Sequence, residues 1–256
     1  MAIITLTTDL GLKDYYVSAI KGAILSNFPS VSIVDVSHQI PTYNIQDAAY
    51  ILKNAYVNFP IGTIHIIGVK AEYTNVSPHV IVYANGHWFV GADNGIFSLL
   101  LDEAPEKVFE ITNIETNLLS FPTRDVFAKI ACCIAKGDAI ENFAKIKNGL
   151  NERMPFRAAS MEDMIRGSVV YIDSYGNVMT NINKILFNQI GKKRAFVIEF
   201  ARYEINKLSN SYSDVPEGEA LVLFNATDNL EISMNTGKAD SLLGLKLNDS
   251  ITIRFE

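Results

Sequence analysis

The sequence predicts an α/β domain followed by a smaller β domain, on three observations. Strand-length apolar runs alternate with helix-spaced ones as far as Asn151. Beyond it the apolar segments turn short and strand-like, with turn signals between them. The chain has 256 residues, 48% hydrophobic and 20% charged, enough to bury a core in each part.

Met1 to Leu6 reads as a buried strand that runs into a loop at Thr7-Thr8-Asp9-Leu10-Gly11. Asp14 to Phe28 carries apolar residues at helical spacing (Tyr16, Ile20, Ala23, Ile24) and stops at Pro29. A strand over Val31 to Val36, a helix over Asn44 to Asn58 and a strand over Thr63 to Val69 follow. Val80 to Ala84 and His87 to Val90 form a hairpin around Asn85-Gly86, the strongest short hairpin signal. Val126 to Ala135 is a further helix. Asn151 to Met164 is polar and irregular. We therefore expect a first domain over 1–155, a linker over 156–167 and a β domain over 168–256, with strands at Val169 to Ile172, Ala195 to Phe200, Ala220 to Asn225, Leu230 to Met234 and Ser250 to Phe255.

A net charge of −6 without a run of Lys or Arg argues against a nucleic-acid partner and against anionic membranes. No apolar run approaches the ~20 residues that span a bilayer. The opening MAIITLTTDLG lacks the features of a secretory leader, and two adjacent cysteines, Cys132 and Cys133, suit small core positions on a helix. A cytoplasmic protein is expected. His38, His65, His79 and His87 show no ligand spacing, so no metal site is expected.

Asp9 ends the first strand, where open α/β sheets bind ligands and a carboxylate can take both hydroxyls of a ribose; a turn or cap aspartate is the alternative. Asp173-Ser174-Tyr175-Gly176-Asn177 joins an aromatic face to an amide that can read an adenine edge. The same five residues also suit a plain turn. Asp93-Asn94-Gly95 reads as structural, and Arg124-Asp125 as an ion pair at a helix start. No phosphate-binding glycine loop or nucleophile elbow is present.

Blocks in a fixed order carry a resemblance. They are Ile4 to Gly11 with Asp14 to Val17, Lys21 to Ile24, Asp35 to Pro41, Phe59 to His65, Phe89 to Gly95, Arg124-Asp125, Asp173 to Asn177 with Thr180 to Ile182, and Leu230 to Ile232. Together they cover nearly the whole chain, which resembles the S-adenosylmethionine (SAM) hydroxide adenosyltransferase (SAM hydrolase) and SAM-halogenase family. That resemblance implies an N-terminal α/β sandwich and a C-terminal all-β, barrel-like domain. It also implies a homotrimer with SAM or adenosine at subunit interfaces, and no cofactor beyond SAM itself. Asp9 would hold the ribose hydroxyls, Tyr175 and Asn177 the adenine, and Asp173 the methionine amino group; Phe121 and Asn225 fall among the ligand-binding positions. The reaction implied is in-line displacement at ribose C5′ with methionine leaving neutral, so aligning the nucleophile is the protein's main task.

The sequence departs from the family where water is activated. An Asp, an Arg and a His do this in the hydrolases; here Lys70, Ser77 and Pro122 stand at those positions. Ala226, next to Asn225, replaces a serine that takes the methionine carboxylate. Thr123 keeps a hydroxyl where halogenating members place a serine, and Lys70 would favour an anion by Coulomb attraction. Thr123 reads equally as a helix cap. Lys70, Ser77 and Thr123 are thus the candidate catalytic positions, with turnover left open. The alternatives are a catalytically silent nucleoside-binding trimer and SAM cleavage by a non-water anion.

Overall fold

A computed structural model describes residues 2–112, 120–154 and 157–256. The chain divides into two compact units, Met1–Pro155 and Phe156–Glu256.

The first unit is a seven-stranded mixed sheet between two helical layers. Its strands are β1 (Ile3–Thr8), β2 (Ser32–Ser37), β3 (Ile64–Gly68), β4 (His79–Ala84), β5 (His87–Ala92), β6 (Lys107–Ile111) and β7 (Ala144–Ile146), in spatial order β2-β1-β3-β5-β4-β6-β7. β1, β2, β3 and β5 run parallel; β4, β6 and β7 continue the sheet antiparallel. The helices are α1 (Tyr16–Asn27), α2 (Ile45–Tyr56), α3 (Ile96–Leu100) and α4 (Ala128–Lys136), the last entered through a π-helical turn at Thr123–Phe127.

Strand periodicity sorts the core into two sides. Leu6, Ile66, Ile81 and Val90 pack with α1 and α4, while Ile67, Val80, Val82 and Phe89 pack with α2 and α3. Buried on both faces, these strands read as unbroken apolar runs. Each fully buried Leu or Ile contributes about 1.5–3 kcal/mol. The hairpin expected at Asn85-Gly86 forms with both residues at positive φ (53° and 78°), as a type I′ turn requires. Cys132 is buried on α4, and Cys133 is half-buried.

The second unit is a barrel-like antiparallel sheet with two short helices. Its elements are β8 (Ala159–Ser160), β9 (Met164–Ile172), β10 (Val178–Asn183), α5 (Lys184–Gly191), β11 (Phe196–Phe200), β12 (Tyr203–Ile205), β13 (Ala220–Phe224), β14 (Asn229–Met234), α6 (Ala239–Leu243) and β15 (Ser250–Phe255). The strand order is β12-β11-β15-β9-β10-β14-β13, with β8 on β9. The segment expected to be a linker, 156–167, differs: it holds β8 and the first residues of β9. Ile165 explains why, since it is fully buried opposite Ile253 in a core with Val169, Ile198 and Ile232.

Among the described residues no helix is long and apolar enough to cross a membrane, and no group of three potential ligands could hold a metal ion.

Two features of the first unit yield tests. His65 is fully buried in a chain of polar contacts, with Nδ1 2.7 Å from Thr5 Oγ1 and Nε2 3.2 Å from His87 Nδ1. Burial first, then His87, pushes the His65 imidazole down to about 3. The folded ring stays neutral while the unfolded ring takes a proton below about 6.5. Its contribution is complete above that pH and is lost as pH falls toward 3. Thermal melts across this window should show a falling midpoint, and His65→Gln should flatten the slope.

Gly68 ends β3 at a point of close packing. A Cβ there would lie 2.7 Å from Cγ2 and 2.8 Å from Oγ1 of Thr123, and 3.1 Å from Cγ2 of Thr8. Thr123 is 3% exposed and β-branched, so it has little room to yield. Gly68→Ala should cost about 1–3 kcal/mol in urea unfolding, and adding Thr123→Ala should recover most of it.

Candidate functional site

In the first unit the parallel strands reverse direction of growth between β1 and β3, since β2 lies on one side of β1 and β3 on the other. Ligands of open α/β sheets bind at the carboxyl ends of such strands. Asp9 is the residue there. It is half-buried, and its Oδ2 accepts the backbone N–H of Tyr43 at 2.8 Å. Burial raises its pKa above the usual carboxylate value, against the lowering effect of backbone amides of Tyr43, Asp9 itself and Lys70.

The backbone around this carboxylate is strained. Tyr43 has φ 63° and Lys70 φ 46°, the left-handed region that disfavours a Cβ. Asn44 N–H donates to Pro41 O at 2.9 Å, which puts Tyr43 at the third position of a type II turn, where Gly is the usual residue. Tyr43 is 61% exposed. Lys70 is held by Asn94, whose Nδ2 donates to the carbonyls of Val69 (3.2 Å) and Lys70 (3.0 Å). Strain of this kind collects at binding sites. Sequence reasoning missed Tyr43, although Pro41-Thr42-Tyr43-Asn44 before a helix carries a turn signal.

Just inside Asp9, Thr8 Oγ1 lies 2.7 Å from His38 Nδ1. His38 Nε2 stands 3.0 Å from Asp35 Oδ1, and Lys21 Nζ lies 2.6 Å from Asp35 Oδ2. Burial of Asp35 opposes ionisation, but the bonds from Lys21 and His38 outweigh it and hold the carboxyl below its ordinary value.

The candidate catalytic positions separate. Thr123 is buried in the π-helical turn against Gly68; it is the first residue of that turn, not its cap. Lys70 is exposed, two residues past Gly68. Ser77 closes a tight turn, exchanging backbone hydrogen bonds with Thr74 at 3.0 and 3.2 Å, and its buried Oγ has no partner. Pro122 is buried at the start of the turn. Phe121 packs edge-on to Tyr16, under the Arg124 guanidinium at 5.0 Å, and Arg124 makes two bonds to Asp125. His79 is a core residue, its Nε2 2.9 Å from Ala71 O and its pKa lowered by burial. Asp93 is fully buried beside Lys147 Nζ at 2.9 Å and accepts Asn151 N–H, a structural role.

In the second unit Asp173, Tyr175 and Asn177 meet in one place. Asp173 Oδ1 accepts the N–H groups of Tyr175 and Asn177, both at 2.9 Å, and its Oδ2 accepts Asn177 Nδ2 at 3.1 Å. The turn thus forms, and it also lines a cavity of about 680 Å³ together with Tyr212, Met234 and Lys238. Tyr175, 76% exposed, is among the lining residues. Tyr212 and Lys238 carry no motif that sequence reading could have used.

Asn225 lies elsewhere. Its Oδ1 accepts Thr227 N–H, Thr227 Oγ1–H and Asn229 N–H in the β13–β14 turn. The β10–β14 register sets that turn beside Asn183, at the far end of the strands from Asn177. A second cavity, about 900 Å³ between α3 and the β6–β7 edge, includes none of the candidate residues.

The chain is 27% identical to an (R)-S-adenosyl-L-methionine hydrolase of Thermus thermophilus, with 93% of this chain and 94% of that protein covered. It is 28% identical to one of Methanocaldococcus jannaschii, covering 99% and 96%, and 23% identical to a fluorinase of Nocardia brasiliensis, covering 98% and 96%. A crystal structure of an uncharacterized conserved protein from Thermotoga maritima superposes with a TM-score of 0.89 at 28% identity, covering 98% of this chain and 99% of that one. The SAM hydroxide adenosyltransferase N-terminal domain matches residues 4–144 and the C-terminal domain residues 167–252, so the chain belongs to the SAM hydroxide adenosyltransferase family.

Proposed function

We propose that this protein binds SAM or adenosine as a homotrimer with ligand at the subunit interfaces, without the family's water-activating set. The observation that carries the reading is the cavity where Tyr175 and Asn177 stand together, an aromatic face beside an amide that suit a nucleobase. Asp9, half-buried and held by the Tyr43 amide, offers its carboxylate to a ribose diol. Lys70 has donors and no acceptor, and Pro122 has no polar side chain at all. Neither can orient water as an aspartate and a histidine would.

Calorimetry with adenosine and with SAM tests this directly. Saturable binding of at least one is expected, and absence of both would overturn the reading. Asp9→Ala should weaken adenosine binding by about tenfold or more, as loss of charge-assisted hydrogen bonds does.

A second reading, SAM cleavage by an anion in place of water, is favoured by the buried hydroxyl of Thr123 beside the strand end. In that step the anion bonds to C5′ as the C5′–S bond breaks, and methionine leaves with the electron pair. Chromatography of SAM incubations with and without chloride separates the outcomes. Binding alone leaves SAM intact in both, whereas a chloride-dependent 5′-substituted adenosine supports the second reading. Adenosine at the rate of a homologue with the Asp–Arg–His set would sink the claim that water activation is missing.

A further inference from the structure

β14 contains a charge where its neighbours are apolar. Leu230 and Ile232 face the core of the second unit, so Glu231 and Ser233 face the other side of the sheet. That side is buried too: Glu231 is 2% exposed and Ser233 fully buried. The cross-strand neighbours of Glu231 are Leu223 on β13 and Met179 on β10, both buried. Placing a carboxylate between two apolar side chains costs free energy unless it is well bonded. Its bonds come from two hydroxyls, Tyr212 O–H at 2.9 Å and Ser233 Oγ–H at 2.6 Å, both on Oε1. A leucine would suit the position better for stability alone.

Tyr212 shows what the charge is for. It sits on a short 3₁₀ turn, Tyr212–Asp214, closed by a capping box in which Ser211 accepts from Ser213 N–H and Asp214 reaches back to the Ser211 amide. The turn fixes the Cα end of Tyr212, and Glu231 fixes the hydroxyl end. The ring between them lines the cavity that holds Tyr175 and Asn177.

We infer that Glu231 is a positioning residue for this cavity, its carboxylate fixing the Tyr212 ring as one wall of the nucleobase pocket. The inference rests on the adenosine-binding reading for its ligand and on the Tyr212–Glu231 bond for its geometry. A consequence can be read without ligand: burial, then the bond to Glu231 and its charge, with Asp173 adding to them, push the Tyr212 hydroxyl up to about 12.

The test compares the full-length chain with Glu231→Leu, Glu231→Gln, Tyr212→Phe and the Tyr212→Phe/Glu231→Leu double variant. Adenosine affinity is read by calorimetry, and Tyr212 ionisation by NMR of chains labelled with ¹³C-tyrosine. Glu231→Leu should keep or raise the melting temperature yet weaken adenosine binding about tenfold, the scale of one hydrogen bond to a charged group. Tyr212 should then ionise nearer its free value of about 10. Glu231→Gln, which keeps an acceptor, should restore affinity to within about twofold of the wild type. The double variant should bind no worse than the weaker single one. Wild-type affinity in Glu231→Leu, or an equal loss in Glu231→Gln, would overturn the inference. Should Glu231→Leu not fold, Tyr212→Phe cuts the same bond with the carboxylate left in place, and undiminished affinity there overturns it equally. If the wild type binds no adenosine, the binding reading fails, and Tyr212 ionisation in Glu231→Gln still decides whether Glu231 holds the ring.

Discussion

The first unit is organised around one demand, that a carboxylate at the end of a buried strand be held without a cation. β1 is covered by helices on both faces, so Asp9 emerges half-buried and burial raises its pKa. Backbone amides supply the compensation, and to deliver them the chain bends Tyr43 and Lys70 into left-handed conformations. Those two turns need anchors of their own. Asn94 holds the Lys70 carbonyl, and helix α2 is capped by Asn44, immediately after Tyr43, whose side chain accepts from the Gln46 and Asp47 amides. The Lys21–Asp35–His38–Thr8 contacts brace β1 and β2 one residue farther in. Strain at the strand end is therefore balanced by bonds distributed over several elements, and only a rigid sheet can keep such a balance.

The second unit also holds carboxylates without a cation. Asp173 is satisfied by the amides of its own turn, and Glu231 by two hydroxyls. The contrast with Asp93 is instructive. Asp93 is fully buried beside Lys147, and charges neutralised in this way stop acting on their surroundings. Of these carboxylates Asp173 lines a cavity, whereas Glu231 and Asp93 are buried.

Much of the fold was legible, because the apolar runs of β1, β3, β4 and β5 are buried on both faces and need no partner to be recognised. β10 was missed: Val178-Met179-Thr180-Asn181-Ile182-Asn183 alternates too many polar residues to announce a strand, yet Thr180 and Ile182 are fully buried. The supposed linker failed for the opposite reason, since Ile165 is one apolar residue in a polar stretch and its partner Ile253 lies far along the chain. In the site, Asp173, Tyr175 and Asn177 were visible because five consecutive residues carry them. Tyr212 reaches the same cavity from a distant loop, and no spacing rule links it to them. Asn225 was within a recognisable block, but its side chain is used up by its own turn.

Pro122, Ser77 and Lys70 each have structural work of their own. Pro122 fits the start of the π-helical turn because its φ of −59° is the one the ring imposes and a helix start wastes no N–H. Ser77 closes the Thr74–Ser77 turn through its backbone, which any residue could do. Lys70 occupies a left-handed turn whose amide, not its side chain, serves Asp9. Lys70 and Ser77 thus serve the scaffold through their backbone, and Pro122 through its ring. Asp9 and Asp173 are instead held through their side chains: Asp9 accepts the Tyr43 amide and Asp173 organises a whole turn. Substitution at Asp9 or Asp173 removes bonds that organise the chain around it.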